Sequence, residues 1–435
     1  MLFSPLKVTF AFMMKQLFSV FICLWFTGVS NAQSYTSYLT GSAADVSPTT
    51  VYGVCLMGGS TEDDNAMTWL LEKAAGGDIV VIRTSGSDGY NDYLYGDLGV
   101  PVNSVETIRF NNASASTDSY VLQQLQNAEM IWIAGGNQEV YESYWKDTQV
   151  ETILNNHINV KQSPIGGTSA GMAILSEDYF NASSGTITSA QALANPFHPN
   201  LTIATDFLTV PFLEDVTTDT HFDDPDRKGR LMTFLGRQVN DYGHRAFAIA
   251  CDEYVAVCID ENGIASVFGE YPGYDDNAYF LQTNCDLPFA PETCSPSVPL
   301  DWNRNEAAVK VYAVKGKTNG AGYLDLNDWE TGDGGDWQNW FVSNGVLNES
   351  AGPPPNCNQA VGIRQSSETE MFLWNGNQFT LQSNAEELKV LDTSGRVMRK
   401  ASNSTKIDLS NLPQGLYLIS VSNGNQSFTA KVVKL

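Results

Sequence analysis

The chain has 435 residues, 43% of them hydrophobic and 17% charged, which is enough for a full α/β core and one small extra domain. Its formal net charge of −25 and pI near 4.3 give a surface that repels nucleic acid, so a nucleic-acid partner is set aside. Charge of this kind favours solubility and says nothing about fold.

The N-terminus reads as a secretory leader over residues 1–32. From Met14, "MKQLFSVFICLWFTGVSNAQ" supplies Lys15, an apolar stretch from Leu17 to Phe26, and small residues ending at Ala32. Ser30 and Ala32 fit the small-residue cleavage rule, and translation from Met13 or Met14 would suffice. The alternative, a membrane anchor, is disfavoured because the apolar core is short for a span.

Residues 51–175 then alternate apolar runs with amphipathic ones. "TVYGVCLMGG" reads as a strand ending in a glycine turn, and "EDDNAMTWLLEKAA" as the helix after it. "DIVVIRT" and "VETIRF" are strands, "TDSYVLQQLQNA" a helix, and "EMIWIAGGNQ" a fourth strand. A single helix is expected over "EVYESYWKDTQVETILNNHI", ahead of a strand that leads into Ser169. Apolar strands separated by helices mean a parallel sheet buried on both faces, hence a doubly wound, mostly parallel α/β fold. Ligands in such sheets sit off the carboxyl ends of the strands. Three strands end there in Gly58-Gly59, in Gly135-Gly136-Asn137-Gln138 and in Gly167-Thr168-Ser169.

After about residue 240, shorter alternating strands ("AFAIACDEYVAVCID", "GIASVFGE", "AAVKVYAV") suggest an antiparallel edge of the same domain, taken as residues 33–350. "DLNDWETGDGGDW" at 325–337 lacks the glycine and spaced glutamate of a calcium loop and reads as a turn-rich hairpin, so no metal is assigned. The prolines of "AGPPPNCNQ" open a stiff linker over 351–364. Residues 365–435 are short strands and turns, a separate small all-β sandwich. Seven cysteines leave six once Cys23 is removed with the leader; Cys285 and Cys294 are the favoured pair, Cys251 and Cys258 come from one strand region, and Cys55 is expected buried.

"SPIGGTSAGMAIL" places Ser169 between Gly167 and Gly171 in a G-x-S-x-G pattern. That pattern fits a nucleophile on a strained strand-to-helix elbow, or simply close packing at such a turn. A serine nucleophile needs a general base, and there are four histidines. His157 lies on an amphipathic helix among asparagines and reads as a surface residue. His198 is in a proline turn and His244 precedes a strand. His221 stands apart in "TTDTHFDDPDRKGRL", crowded by Asp219, Arg227 and Arg230. Oxyanion donors would be the N–H of Ala170, following the serine, and that of Gly135 or Gly136. Gln138 follows as a substrate contact, or as a plain first-turn helix residue.

"IAGGNQ", "GGTSAGMAIL" and "DTHF…RKGRL", in this order, resemble the serine peptidase family of cyanophycinase and dipeptidase E over about residues 50–345. The resemblance implies a fold shared with class I glutamine amidotransferases and no cofactor. It also implies Ser169 as nucleophile, His221 as base, Gly136 and Ala170 as oxyanion donors, and Gln138 on the substrate side. Substrates in that family carry aspartyl or β-linked aspartyl residues. Here Arg227 and Arg230 remain to bind a carboxylate, with Asp219 nearby, or else to pair with Asp223, Asp224 and Asp226. Pro225 stands where the cyanophycinase-like pattern has a further arginine. The family's triad acid, some 15 to 18 residues after the serine, meets "SSGTITSAQ", which has no carboxylate. Glu177 is the favoured substitute, with Gln191 or no acid at all as alternatives. A catalytically inactive peptide- or glycan-binding relative and an amidohydrolase acting on small amides both stay open.

The C-terminal "LKVLDTSGRVM", "LPQGLYLISV" and "KVVKL" resemble the sorting domain of the type IX secretion system of Bacteroidetes. That resemblance implies export through the periplasm to the surface or the medium, with the type IX machinery as a partner besides a peptide substrate. A homodimer is left open.

Overall fold

The computed structural model describes residues 33–357, 372–374, 378–392, 396–423 and 426–434. The expected leader, residues 358–364 of the linker and the first residues of the C-terminal unit lie outside the described residues.

The first half of the larger unit runs β1 (Tyr35–Gly41), β2 (Gly53–Met57), α1 (Asp64–Lys73), β3 (Asp78–Arg83), α2 (Gly89–Asp92), β4 (Ser104–Phe110), α3 (Ser119–Asn127), β5 (Met130–Ile133), α4 (Gln138–Trp145), α5 (Gln149–Asn159), β6 (Ile165–Thr168) and α6 (Ala170–Ala173). Strands β4, β3, β5, β6 and β2 lie side by side and parallel, with β1 antiparallel on β4 at the edge. Successive side chains of a strand point to opposite faces, and here both faces are buried. Val54, Leu56, Ile131 and Ile133 enter one core with α3 and α5. Cys55, Met57, Met130 and Trp132 enter another with α1. Helices on both faces make the sheet doubly wound, as the alternating pattern predicts.

The helix expected over 139–158 is two helices. Trp145 ends α4, Asp147 takes a left-handed φ of 59°, and the Thr148 hydroxyl accepts the Val150 N–H to cap α5.

The second half runs β7 (Tyr179–Phe180), α7 (Ser189–Ala194), β8 (Ile203–Ala204), β9 (Val216–Asp219), α8 (Lys228–Tyr242), β10 (Phe247–Cys251), β11 (Ala256–Asp260), β12 (Ile264–Phe268), β13 (Asn277–Thr283), β14 (Val309–Lys315), β15 (Gly322–Asp325), β16 (Gly332–Asp333), β17 (Gly335–Ser343) and β18 (Val346–Ala351). Only β11, β12, β15 and β16 extend the central sheet, antiparallel from β2. Strands β7 and β8 pair only with each other, and the other six build a second sheet in the order β18-β17-β14-β13-β10-β9. Its own core gathers Leu231, Phe234 and Leu235 of α8 with Trp302 and Trp340. The stretch 325–337 forms the turns joining β15, β16 and β17, where Asp325 and Asp328 accept backbone N–H groups of their own loops.

The disulfide differs from the sequence expectation. Cys285 bonds to Cys357, 72 residues away, and Cys294 is a half-buried free thiol. The short 285–294 loop made the local pair look natural, whereas the fold brings the chain after β18 back onto β14. There Lys310 donates to the Pro353 carbonyl and Gly352 N–H to that of Trp337. The described part of the linker is therefore fastened to the preceding domain.

The C-terminal unit holds β19 (Phe372–Trp374), β20 (Gln378–Leu391), β21 (Val397–Asp408), β22 (Gly415–Asn423) and β23 (Gln426–Lys434), all antiparallel. A register shift between Thr380 and Ala385 curls β20 around a separate core of Leu388, Val390, Ile407, Tyr417 and Ile419.

Candidate functional site

The site forms off the carboxyl ends of β2, β5 and β6. Ser169 follows β6 at once with φ 53° and ψ −117°, outside the usual right-handed and extended regions for a residue with a side chain. Such backbone strain persists only where the surroundings over-determine it. Here the glycines do so by permitting contact: a Cβ on Gly171 would stand 2.1 Å from the Ile133 carbonyl oxygen, and one on Gly167 would stand 2.6 Å from the Gly171 backbone. The Ser169 N–H donates to Met57 O at 3.1 Å, which ties the elbow to the end of β2.

That end, Gly58-Gly59, also seats the base. His221 follows β9 with a left-handed φ of 46°, and its N–H donates to Gly58 O at 3.0 Å. A Cβ on Gly59 would lie 2.4 Å from the imidazole Cε1 and Nε2, so only glycine leaves room for the ring. His221 Nε2 stands 2.9 Å from Ser169 Oγ, and Nδ1 stands 2.5 Å from Glu253 Oε1. A carboxylate can only accept, so Nδ1 carries the proton and Nε2 is left to accept from the serine hydroxyl. The three side chains make a Ser–His–Glu relay.

Sequence reasoning missed Glu253. It lies 32 residues beyond His221, in the turn between β10 and β11. Its N–H donates to Asp223 Oδ1, and the next residue, Tyr254, has a left-handed φ of 62° and donates its N–H to Gly59 O. The stretch "CDEYV" puts a carboxylate directly after an apolar run, but nothing local pairs it with His221.

The favoured acid, Glu177, is elsewhere. Its Oε2 accepts the Asp215 N–H at 2.8 Å. Gln191 is engaged in the N-terminal capping box of α7 with Thr188, so neither reaches the histidine. Asp178 bonds to Gln238 and, being buried, is pushed up to about 6. His157 is buried rather than exposed. It lies on the inner face of α5 with Nε2 against Pro164 O, and burial pushes it down to about 4.

The oxyanion side is compact. Gly135 and Gly136 follow β5, and a Cβ on Gly135 would meet the Ser169 Cβ at 3.6 Å. The Tyr141 hydroxyl donates to the Ala134 and Gly135 carbonyls and underlies the turn so closely that a Cβ on Gly136 would be 2.3 Å from it. Gly136 is exposed at this turn, and Ala170 begins α6 with an N–H that has no intrahelical partner. Gln138, first residue of α4, donates to Phe180 O at 3.4 Å.

The two arginines separate. Arg230 and Asp219 are both buried and pair with each other through two hydrogen bonds, Arg230 Nε reaching Asp219 Oδ2 at 2.9 Å. Neither faces the opening, so the expectation that they contact substrate is corrected; the buried guanidinium takes the nearest buried carboxylate, not Asp223, Asp224 or Asp226. Arg227 donates from Nη1 to Thr220 O, while its buried Nε has no partner among the described residues. Burial, and then the charge of Arg230, hold its guanidinium below the usual range. Among the described residues no group of three or more His, Cys, Asp or Glu side chains is placed to hold a metal ion, and no helix is long and apolar enough to cross a membrane.

Residues 90–266 match Peptidase family S51, and residues 375–435 match the secretion system C-terminal sorting domain. The chain is 26% identical over 180 residues to proteins named cyanophycinase from Synechococcus elongatus and from Thermosynechococcus vestitus. The match covers 41% of this chain and 50% of each of them, so the chain spans about half the length of these curated relatives. Among solved structures, a peptidase from an acI-B1 Actinobacterium is similar at 14% identity and TM-score 0.39, over 51% of this chain and 89% of that one. A putative peptidase E protein from Listeria monocytogenes EGD-e is similar at 16% identity and TM-score 0.32, over 51% and 99%.

Proposed function

With residues 90–266 belonging to peptidase family S51 and residues 375–435 to the secretion sorting domains, we propose that the chain is an exported serine peptidase that cleaves through a Ser169 acyl-enzyme. The observation that carries this reading is the closed relay, Ser169 Oγ to His221 Nε2 at 2.9 Å and His221 Nδ1 to Glu253 at 2.5 Å. A binding-only relative has no need to hold three such groups in register, and the acid on Nδ1 supports the catalytic reading.

In the first step His221 Nε2 takes the hydroxyl proton as Ser169 Oγ bonds to the substrate carbonyl carbon. Glu253 holds the resulting imidazolium in place. The N–H groups of Gly136 and Ala170 face the developing oxyanion, where one such donor is worth about 2.7–4 kcal/mol. His221 then passes its proton to the leaving amine, which departs and leaves the acyl-enzyme. Water attacks the ester carbonyl, gives a proton to His221, and Ser169 regains its hydrogen as the acid product leaves.

The substrate we propose is a peptide with an aspartyl or β-aspartyl residue on the acyl side. Arg227 is the cation left beside the His221 loop to meet that carboxylate, since Arg230 is committed to Asp219. Gln138, at the mouth beside the glycine turn, supplies an amide for the substrate backbone. Export follows the type IX route, with its machinery as the partner of the C-terminal unit.

The test is labelling with a fluorophosphonate serine probe, beside Ser169→Ala, followed by a panel of aspartyl, β-aspartyl and alanyl dipeptides and free amides. Labelling lost in the variant and turnover of the aspartyl members are expected. Equal labelling in the variant would overturn the nucleophile, and turnover confined to free amides would turn the reading to an amidohydrolase.

A further inference from the structure

Cys55 and Cys258 lie on one face of the central sheet, on the neighbouring strands β2 and β11. Strands β2 and β11 are antiparallel, with Cys55 directly opposite Cys258. The hydrogen-bonding parity of the pair follows from its ends. Gly58 N–H donates to Val255 O across to β11, whereas the Met57 carbonyl turns the other way and accepts the Ser169 N–H. Residues 54 and 56 and the N–H of residue 58 are therefore directed at β11, and residues 55 and 57 direct their peptide groups at β6. Cys55 and Cys258 form a non-hydrogen-bonded pair, the kind in which antiparallel backbones come closest, about 4.5 Å between Cα atoms. That separation lies inside the range a disulfide spans, about 4.4–6.8 Å.

Directly opposite residues share a face, and both cysteines are fully buried in the core with α1. Both are free thiols in the structure, directly opposite each other across the strand pair. Cys251, the third buried cysteine, packs in the opposite core and directs its thiol at the Leu56 carbonyl. The compartment is oxidising, because the chain carries a secretion sorting domain and already holds the Cys285–Cys357 disulfide.

We propose that the exported protein carries a Cys55–Cys258 disulfide as a covalent staple between β2 and β11. The bond forms by exchange with a disulfide of a thiol oxidoreductase. The thiolate of one cysteine attacks the oxidant's disulfide and expels one of its thiolates, and the second cysteine then displaces the other. The chain gives up two electrons and two protons, and the oxidant leaves as a dithiol. Burial pushes the Cys258 thiol well up, and a protonated buried thiol does not exchange, so the reaction belongs to folding, before α1 closes over the sheet.

The staple has a place in the site. Cys55 lies three residues before Gly58, which accepts the His221 N–H, and β11 begins three residues after Glu253. It joins the strand that seats the base to the strand behind the acid. The inference rests on export and on the sheet register, not on the peptidase reading.

The experiment uses the full chain recovered after export. It is denatured in acid, alkylated without reductant, digested, and read by mass spectrometry. The expected result is a cross-linked peptide pair containing Cys55 and Cys258, two hydrogens lighter than the sum of its parts, with Cys251 and Cys294 alkylated. Cys258→Ala should release Cys55 to alkylation. Alkylated Cys55 and Cys258 beside an intact Cys285–Cys357 cross-link would overturn the staple, as would a Cys55–Cys251 cross-link. Alkylation of all these cysteines would overturn the oxidising premise and the staple with it, leaving the serine-labelling result untouched.

Discussion

Replacing Glu253 by glutamine tests the relay most directly. In the resting site a neutral imidazole faces the carboxylate, and in the transition state that imidazole becomes a cation. The Nδ1–Oε1 contact of 2.5 Å puts the two charge centres about 4 Å apart, where an effective dielectric near 20 gives an attraction of about 4 kcal/mol. An amide at that position keeps a hydrogen-bond acceptor but loses this charge term, which alone is about a 10³-fold loss of rate. Each of the two side chains is 23% exposed, and solvent screens part of the interaction, so the expected loss is about 10²- to 10³-fold. The assay is the second-order rate of fluorophosphonate labelling, with Glu177→Gln as a parallel control. Glu177 accepts the Asp215 backbone N–H away from the relay, so its variant should label at nearly the wild-type rate. A Glu253→Gln protein that labels within about threefold of wild type would refute the reasoning, as would equal losses in the two variants.

Three further outcomes follow from the geometry. Gly59→Ala places a methyl 2.4 Å from the His221 ring at a φ of +133°, and should cut labelling by about 10²-fold or more while the protein stays folded by circular dichroism. Arg230→Met leaves the buried Asp219 carboxylate without its partner and should cost about 3–5 kcal/mol in urea unfolding; a loss under about 1 kcal/mol would mean that the pair is hydrated. Asp252 is buried and pushed up to about 6, while an unfolded aspartate titrates at about 3.9. Between those values the folded state binds more protons than the unfolded one, so this group's contribution to stability falls as pH rises through the window. Asp252→Asn should therefore stabilise the protein by about 3 kcal/mol at pH 7 and by under about 1 kcal/mol at pH 4; a difference independent of pH would contradict the assignment.

The parallel half of the fold could be read from the chain because β2 and β5 are continuous apolar runs, and runs of that kind have one stable setting, between two layers of helices. The glycines that follow β2 and β5 and those within β6 were legible for the same reason, at strand ends where backbone must come close. The inner face of α5 was also legible in principle. Val150, Ile153, Leu154, His157 and Ile158 follow the helical spacing, and the neighbouring asparagines distracted from it. Glu253 was not legible, because its meeting with His221 depends on β10 running parallel beside β9 in a second sheet that no local pattern announces. The same holds for Cys285 and Cys357, whose meeting depends on the return of the chain after β18. Asp219 and Arg230 looked like ligands because charged residues near a histidine usually face solvent. Their burial is a property of α8 packing over β9, and only the assembled core shows it.

The Gly58-Gly59 turn has a mechanical consequence. Nucleophile, base and acid loop each hang by a backbone hydrogen bond on three successive carbonyls, those of Met57, Gly58 and Gly59. Surveyed from one datum, the three groups share its errors. A displacement arriving through the sheet translates all of them together and cancels in the differences between their positions. The reaction depends on those differences, so the turn that carries Gly58 and Gly59 sets the relative positions of all three groups at once.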